Sequence, residues 1–384
     1  MTTMAAQPWL LGSGLTRYGR HDGRSTLDLM SEAATAALAD AGLERGDIDG
    51  LVCGYSTTMP HIMLATVFAE HFGVRPTYAH AIQMGGATGF GLVMLAHLLI
   101  RAGAARRVLV VGGENRMTGQ SRDSSIQALA QTGHPVYEVP LGPTIPAYYG
   151  LVASRYMHEH GTTEADLAEL AVLMRRHATR HPGAQFREPI TRDQVLASRP
   201  IAWPLKILDC CPVSDGGCAV VIGNDRAGAP NPLRLSGAAQ HHASQHVSAA
   251  PSLTEFGAGG CTARALAQAN RKLIDVEAAA IYDSFTITLT ILLEEIGLAP
   301  RGKAGRCAAG GHFDRDGRMP LNLHGGLLSY GHCGVAGAMA HLAEMHLQMT
   351  GRAGARQARR AGVALLHGDG GELSSHVSLV LEAP

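Results

Sequence analysis

Two segments in the last third of the chain combine proton-transferring side chains with glycine turns. Tyr282-Asp283-Ser284-Phe285 ends a short apolar run, and Ser329-Tyr330-Gly331-His332-Cys333-Gly334 precedes another. Phenols and imidazoles act as general acids and bases and stabilise developing negative charge. Tyr282, Tyr330 and His332 are therefore candidates for acid–base chemistry, although a tyrosine at the end of a strand can equally be an anchored core residue.

Attack by a thiolate is the second kind of chemistry to consider, because the chain has seven cysteines. Their number is odd and no two form a CxxC pair, so neither a disulfide framework nor a zinc ribbon is indicated. Cys333 is the best placed of them, since it follows His332 on a glycine loop. Two interpretations stay open for Cys333: a reactive thiol, or a small buried side chain that fills space.

The composition excludes several classes of function. The 384 residues carry 32 basic and 32 acidic side chains, a net charge of zero, and no polybasic run. A nucleic-acid-binding protein normally shows a basic surface. No apolar stretch approaches the roughly 18–20 residues of a membrane span, and the N-terminus has no signal-peptide pattern. We therefore expect a cytoplasmic α/β enzyme that binds neither nucleic acid nor membrane.

The elements that carry these loops occur twice in the same order. Residues 26–41 predict a helix that ends at Gly42, and residues 48–54 predict a buried strand. A glycine turn at 83–89, a helix at 90–102 and an arginine-led strand at 108–111 follow.

The second copy repeats this series. A predicted helix at 261–272 leads to a strand that ends at 281–285, and glycine turns precede a helix at 335–349. An arginine-led strand at 363–366 completes the copy. Such alternation implies right-handed crossovers and a mostly parallel sheet in each half.

We divide the chain into two halves, residues 1–228 and residues 229–384. The first half includes a region at about 115–205 that is richer in Pro, His, Arg and Tyr, and its helices are expected to form a cap over that half. The polar, histidine-rich stretch 231–251 suits a surface connection. Its histidines lack acidic neighbours at a convincing spacing, so no metal site is indicated.

Three further motifs stand in a fixed order along the chain. They read Cys211-Pro212-Val213-Ser214-Asp215-Gly216, Asn322-Leu323-His324-Gly325-Gly326 and Gly331-His332-Cys333-Gly334. They resemble the CPxSDG turn, the N-x-x-GG loop and the GHPxG loop of the thiolase superfamily, with Cys333 where proline is usual. The resemblance extends over nearly the whole chain and is closest to the sterol-carrier-protein thiolase branch. It implies a duplicated α/β fold with two mixed five-stranded sheets in α-β-α-β-α layers, and a homodimer.

The nucleophilic cysteine of the thiolases is missing from this sequence. Family members carry a nucleophilic cysteine at the start of the helix after the first glycine turn, where the helix dipole lowers the thiol pKa. Alignment of Gly85-Gly86-Ala87-Thr88-Gly89 with the family's C-A-T-G pattern puts Gly86 at that position. A second cysteine is expected just before Gly368, where this chain has Leu366 and His367. Claisen condensation through an acyl-enzyme is therefore excluded unless another group replaces the thiols.

Acid–base catalysis remains possible without a thiol, and it suffices to cleave the Cα–Cβ bond of a β-hydroxyacyl-CoA. Sterol-carrier-type thiolases usually read H-D-C-F where this chain has Tyr282-Asp283-Ser284-Phe285. The combination resembles the thiolase-fold acyl-CoA retro-aldolases that shorten steroid side chains. That resemblance implies that Tyr282 and Tyr330 face a common cavity, where one is the acid and the other the base in either order, and that His332 supports the thioester oxygen or its enolate. A phenol ionises near about pH 10, so a phenolate base requires nearby positive charge or hydrogen-bond donors.

The same resemblance puts Gly86, Asn322, His324 and Cys333 around the substrate. The missing side chain of Gly86 either exposes backbone N–H groups as part of an oxyanion site or admits a bulky substrate. Asn322 and His324 either orient His332 or hold a water molecule. We expect cleavage to give a ketone or aldehyde and a shorter acyl-CoA such as acetyl-CoA or propionyl-CoA.

No bound cofactor or metal is expected on this chain, because coenzyme A arrives with the substrate. The retro-aldolases that it resembles work with a small partner of the DUF35 type, which has an OB-fold and usually a zinc ribbon, so such a partner is implied. Two alternatives remain: acyl transfer with Cys333 as a displaced nucleophile, and a non-catalytic thiolase homologue that binds acyl-CoA.

Overall fold

The computed structural model describes residues 6–226 and 228–384. The strands are β1 (Trp9–Leu15), β2 (Gly50–Gly54), β3 (Tyr78–Ile82), β4 (Arg107–Asn115), β5 (Pro200–Ala202), β6 (Leu205–Lys206), β7 (Asp215–Gly223), β8 (Leu233–His242), β9 (Ala278–Ile281), β10 (Val363–Gly370) and β11 (Ser375–Glu382). The α-helices are α1 (Thr26–Ala41), α2 (Leu64–Phe72), α3 (Thr88–Arg101), α4 (Arg122–Ala130), α5 (Ile145–His160), α6 (Glu164–Ala178), α7 (Arg192–Ala197), α8 (Ala258–Gln268), α9 (Thr286–Ile296), α10 (Ala304–Ala309), α11 (Gly326–Tyr330) and α12 (Val335–Met349). Short 3₁₀ helices lie at Arg45–Asp47, Val139–Leu141, Ile207–Asp209, Val247–Ala249, Leu273–Asp275 and Gly354–Arg356.

Nine of the strands form one mixed sheet with the order β3-β2-β4-β7-β1-β8-β11-β10-β9. Strands β3, β2 and β4 run parallel to one another, as do β9 and β10, and the other neighbours are antiparallel. The two halves of this sheet meet where Trp9 and Leu10 of β1 pair with Arg234 and Leu233 of β8. Open α/β sheets usually carry their functional sites at the carboxyl ends of the parallel strands. We therefore expect the functional site at this end of the parallel strands in each half.

The predicted α/β thiolase-like class is confirmed, but the number of strands differs. The first half of the sheet has five strands and the second half has four. A single parallel bridge between Ala279 and Leu321 takes the place of a fifth strand. Pro320 cannot donate a ladder hydrogen bond, and Asn322 adopts a left-handed backbone conformation with φ 46°. The ladder therefore stops after one residue.

Helices α3 and α12 form a layer between the two halves of the sheet. Both contact β4 and β7 of the first half and β10 of the second. Helices α1 and α2 pack on strands of the first half, and α8 and α9 pack on strands of the second. This arrangement gives the predicted α-β-α-β-α layers. Helix α12 is buried on nearly all sides because sheets cover it from two directions.

Local sequence signals explain where the helices begin and end. Ser25 caps α1 by accepting a hydrogen bond from the backbone of Asp28, whose carboxylate accepts in return from the backbone of Ser25. The helix ends at Gly42, which has a left-handed conformation with φ 67°. The predicted helices at 26–41 and 335–349 have the same bounds in the structure.

Two expectations from the sequence need correction. The stretch 231–251 is not only a surface connection, because β8 lies in it and pairs with β11. Buried Leu233 and Leu235 alternate with less buried neighbours, which is the pattern of a strand. The inserted helices α5 and α6 contact α9 of the second half rather than cover the first half. Their apolar side chains share one core with α9, which includes Leu170 and Leu292.

Within residues 6–226 and 228–384, no helix combines the length and the apolar character needed to cross a bilayer. The same residues contain no group of three or more His, Cys, Asp or Glu side chains arranged to hold a metal ion.

Candidate active site

Tyr282 stands at the carboxyl end of β9, where two contacts fix its backbone. Its N–H donates to the carbonyl of His367 at 2.9 Å, which extends the parallel pairing of β9 with β10. The side-chain amide of Asn322 bonds to both backbone groups of the preceding residue, Ile281, with Oδ1 accepting at 2.8 Å and Nδ2 donating at 2.7 Å. The phenol of Tyr282 therefore leaves the sheet from a rigid base.

His332 lies on the loop between α11 and α12, and the CPxSDG-like turn holds that loop. The hydroxyl of Ser214 accepts a hydrogen bond from the N–H of His332 at 3.0 Å. The N–H of Ser214 donates in turn to the carbonyl of His332 at 3.0 Å. This pairing brings an imidazole from the second half of the chain to the end of the first half.

The centre of the candidate site is a hydrogen bond between Tyr282 and His332. The phenolic oxygen lies 2.8 Å from Nε2, and the two rings meet edge to face. On its other side, Nδ1 of His332 accepts from the N–H of Gly334 at 3.2 Å. Burial lowers the pKa of His332 to about 3, so its ring is neutral near pH 7.

These contacts determine which way each proton points. Because Nδ1 of His332 accepts a hydrogen bond, the proton of the neutral ring is on Nε2. Nε2–H then donates to the oxygen of Tyr282, so the phenolic proton is free to donate elsewhere. Burial also raises the pKa of Tyr282 well above its ordinary value, which keeps the phenol protonated. The pair can therefore donate a proton, and the imidazole can stabilise the phenolate that is left behind.

Gly86 forms the wall opposite Tyr282. A Cβ at this position would overlap the phenolic oxygen of Tyr282 and would lie 2.5 Å from the carbonyl oxygen of Asp369. The hydroxyl of Tyr282 therefore occupies the place into which a side chain at position 86 would project. The sequence left open a space for bulky substrate here, and the structure fills that space with the phenol. Gly86 and His332 both remain partly accessible to solvent, whereas Tyr282 is buried.

The structure does not bring Tyr330 to the Tyr282–His332 pair. The ring of Tyr330 packs against Tyr18, with centroids 4.8 Å apart, and against His181 and His324. Tyr282 and Tyr330 belong to different core clusters. The expectation that both phenols face one cavity is therefore not met in this conformation, because α11 directs Tyr330 into the core beside α12.

The side chains of His324, Cys333 and Asn322 make no hydrogen bond to Tyr282 or His332 among the described residues. His324 is buried, lies 4.7 Å from the ring of His341 and has no hydrogen-bond partner among the described residues. Cys333 is fully buried near Tyr18, and burial raises the pKa of its thiol well above the ordinary range. The side-chain amide of Asn322 bonds to the backbone of Ile281 through both Oδ1 and Nδ2. That these three side chains contact the substrate stays a prediction.

Comparison with known proteins agrees with the geometry. The family model for the thiolase N-terminal domain matches residues 13–226, and the thiolase C-terminal domain-like model matches residues 239–383. The chain belongs to the thiolase family.

Individual members of the family differ in their stated activities. An acetyl-CoA acetyltransferase of Methanothermobacter thermautotrophicus is 29% identical over 96% of this chain and 98% of its own. A steroid side-chain-cleaving aldolase of Thermomonospora curvata is 34% identical over 88% of this chain and 91% of its own. The solved structure described as the Ltp2-ChsH2(DUF35) aldolase superposes with a TM-score of 0.86 at 32% identity, covering 99% of both chains.

This thiolase-family site contains groups that the sequence did not single out. Arg116 follows the carboxyl end of β4, and its side chain is 10% exposed. The carboxyl group of Asp369 is fully buried, and burial raises its pKa well above the ordinary value. Its Oδ2 lies 3.4 Å from the hydroxyl of Tyr149. The available signal was a polar residue at the carboxyl end of a buried strand, since Asp369 lies near the end of β10 and Arg116 follows β4.

Proposed function

We propose that this chain is a carbon–carbon lyase that cleaves a β-hydroxyacyl-CoA by a retro-aldol reaction. The products are a ketone or aldehyde and a shorter acyl-CoA such as acetyl-CoA or propionyl-CoA. The observation that carries this proposal is the hydrogen-bonded Tyr282–His332 pair, whose phenol stands where a side chain at Gly86 would project. A proton donor thus replaces the nucleophile at the centre of a thiolase fold.

The reaction needs one proton to leave the substrate and one to return. A base removes the β-hydroxyl proton, the Cα–Cβ bond breaks to give the carbonyl product, and the bonding electrons form the thioester enolate. Tyr282 gives its phenolic proton to Cα, and the proton taken from the β-hydroxyl restores the phenol. Nε2–H of His332 stabilises the phenolate in between.

Tyr330 stays the candidate for the base on the resemblance alone. Because its ring packs with Tyr18 and His324, a catalytic role requires substrate to reach that side of the loop.

Tyr282→Phe should lower kcat by roughly 100-fold or more, the usual contribution of a positioned acid or base. A similar loss in Tyr330→Phe supports its role as base, and unchanged kcat assigns that role to another group.

A bulky acyl group such as a steroid side chain is the proposed substrate class. The support is the aldolase of Thermomonospora curvata, which is named for steroid side-chain cleavage and is 34% identical to this chain. Coenzyme A belongs to the substrate, and no resident cofactor is part of the proposal.

Acyl transfer is the second candidate, because an acetyl-CoA acetyltransferase is 29% identical over nearly the whole chain. That reaction needs a reactive thiol at the site. Gly86 offers none, and the buried thiol of Cys333 has a raised pKa. The lyase is therefore the better supported of the two functions.

Product analysis separates the two reactions. The purified protein is incubated with candidate β-hydroxyacyl-CoAs, alone and with a DUF35-type partner, in the absence of free coenzyme A. Release of a carbonyl compound together with a shorter acyl-CoA supports the lyase. A strict requirement for free coenzyme A contradicts it and indicates thiolysis.

Assembly and location complete the proposal. A small DUF35-type partner is supported by the similar aldolase structure, whose description includes such a protein. A homodimer through β3 is supported by its place at the edge of the sheet and by the exposed residues 79–81, since an edge strand offers unpaired backbone groups. A reducing cytoplasm suits seven cysteines that form no disulfide.

A further inference from the structure

Arg116 is a buried cation with unused hydrogen-bonding capacity. Its side chain is 10% exposed, and its Nε has no hydrogen-bond partner among the described residues. The nearest carboxylate is that of Glu114, with 3.9 Å between Nε of Arg116 and Oε2 of Glu114. A largely buried guanidinium without a close ion pair is costly unless its charge serves another group.

The backbone on both sides of Arg116 is fixed. The side chain of Asn115 donates to the carbonyl of Arg24 at 3.0 Å. Oδ1 of Asp215 accepts from the N–H of Met117 at 2.6 Å, and Asp215 belongs to the CPxSDG-like turn. The same turn holds His332 through Ser214. Arg116 and His332 therefore share one rigid support.

Glu114 connects Arg116 with the loop that carries His332. The Glu114 carboxylate beside Arg116 packs so tightly against Gly334 that a Cβ there would overlap it. Gly334 is the residue whose N–H donates to Nδ1 of His332. The positive charge of Arg116 opposes the upward shift in the pKa of Tyr282, and it helps to lower the pKa of His332.

Other groups around Tyr282 have the opposite effect on its phenol. Besides Arg116 and His332, the titratable groups near it are Cys211, Asp369, Tyr55 and Tyr149. Burial contributes most to the raised pKa of Tyr282, and negative charge on Cys211, Asp369 or Tyr55 would raise it further. The neutral ring of His332 supplies a hydrogen bond but no net charge.

We propose that Arg116 is a positioning residue whose charge stabilises the phenolate of Tyr282 after its proton has moved to Cα. This inference rests on the proposed retro-aldol function. No proton is gained or lost by Arg116 in the step: the phenolic O–H bond breaks, the Cα–H bond forms, and the positive charge of the guanidinium offsets the negative charge that remains. The β-hydroxyl proton then restores the phenol.

The first test compares Arg116→Gln with the charge-conserving control Arg116→Lys. We expect Arg116→Gln to lower kcat by at least tenfold with little change in KM, because loss of the charge destabilises the phenolate but not the bound substrate. Arg116→Lys should recover most of this loss. Equal losses in both variants, or unchanged kcat in Arg116→Gln, would overturn the proposal.

A second test does not depend on turnover, so its failure is separable from failure of the lyase proposal. A difluorinated tyrosine at position 282 ionises at lower pH than tyrosine, and fluorine NMR reports its titration. Arg116→Gln should raise the pKa of this phenol, and Arg116→Lys should leave it nearly unchanged. Glu114→Gln should lower it, because it removes the negative charge that partly offsets Arg116. If none of the three substitutions changes the titration midpoint of this phenol, the electrostatic role of Arg116 is refuted even if the lyase reaction is found.

Discussion

Substitution of Gly86 by alanine adds one methyl group where the structure has no room for it. The new Cβ would overlap the hydroxyl of Tyr282 and lie 2.5 Å from both Cζ of that ring and the carbonyl oxygen of Asp369. Unstrained carbon contacts begin at about 3.5 Å. The backbone of Asp369 is held in the β10–β11 pairing, so the ring of Tyr282 must shift by about 1 Å.

A shift of this size is large enough to break the catalytic pair. The oxygen of Tyr282 lies 2.8 Å from Nε2 of His332, and a hydrogen bond is lost beyond roughly 3.5 Å. A misplacement of about 1 Å at a reacting group costs on the order of 100-fold in rate. We expect Gly86→Ala to lower kcat for carbonyl release by about that factor, with some loss of stability from overpacking, roughly 1–3 kcal/mol.

The matched control is Gly260→Ala, a glycine in the first turn of α8. A Cβ there would meet only Nη1 of Arg264, at an ordinary 3.8 Å. This variant should keep full activity and stability. If Gly86→Ala releases the carbonyl product as fast as Gly260→Ala does, the phenol is not in the place that the reasoning requires.

Three further predictions follow from individual contacts. Asn322→Ala removes both hydrogen bonds to Ile281, so we expect a lower melting temperature and a fall in kcat, and an unchanged kcat would argue against the clamp. Iodoacetamide should leave activity intact in the folded protein, because burial raises the pKa of the Cys333 thiol; inactivation that tracks with modified Cys333 would favour acyl transfer. Burial raises the pKa of Glu372 from 4.5 to about 7. The protonated Glu372 side chain therefore contributes fully to the free energy of unfolding below pH 4.5, and this contribution is lost as the pH rises through 7. Relative to the parent, Glu372→Gln should therefore gain up to roughly 3 kcal/mol in unfolding free energy across that range, measured by urea denaturation at each pH.

Much of the fold could be predicted because its signals are local. The helix at 26–41 follows a capping serine and ends at a glycine, and the helix at 335–349 lies between glycine turns. The sequence did not predict strand β8, because the polar residues Gln240 to His242 follow its buried positions and make the whole stretch look exposed. The missing fifth strand beside β9 depends on the backbone conformation of Asn322, which composition does not reveal.

The candidate site was only partly predictable, because its geometry depends on residues far apart in sequence. Tyr282 and His332 were found from the loops that carry them, and the structure joins them. That the phenol fills the space beside Gly86 depends on the contact between the two halves of the chain. Tyr330 lies only two residues from His332, yet its ring packs in a different core cluster from that of Tyr282, the partner of His332. Proximity in sequence was therefore a poor guide to proximity of the side chains.

Intact-mass spectrometry during turnover tests the absence of a covalent intermediate most directly. The protein is mixed with a β-hydroxyacyl-CoA that it cleaves, quenched in acid at intervals and weighed while the released carbonyl compound is measured in parallel. We predict that the chain keeps its unmodified mass at every time point while the carbonyl product accumulates. A transient species heavier by the acyl group, attached to any side chain, would contradict the account.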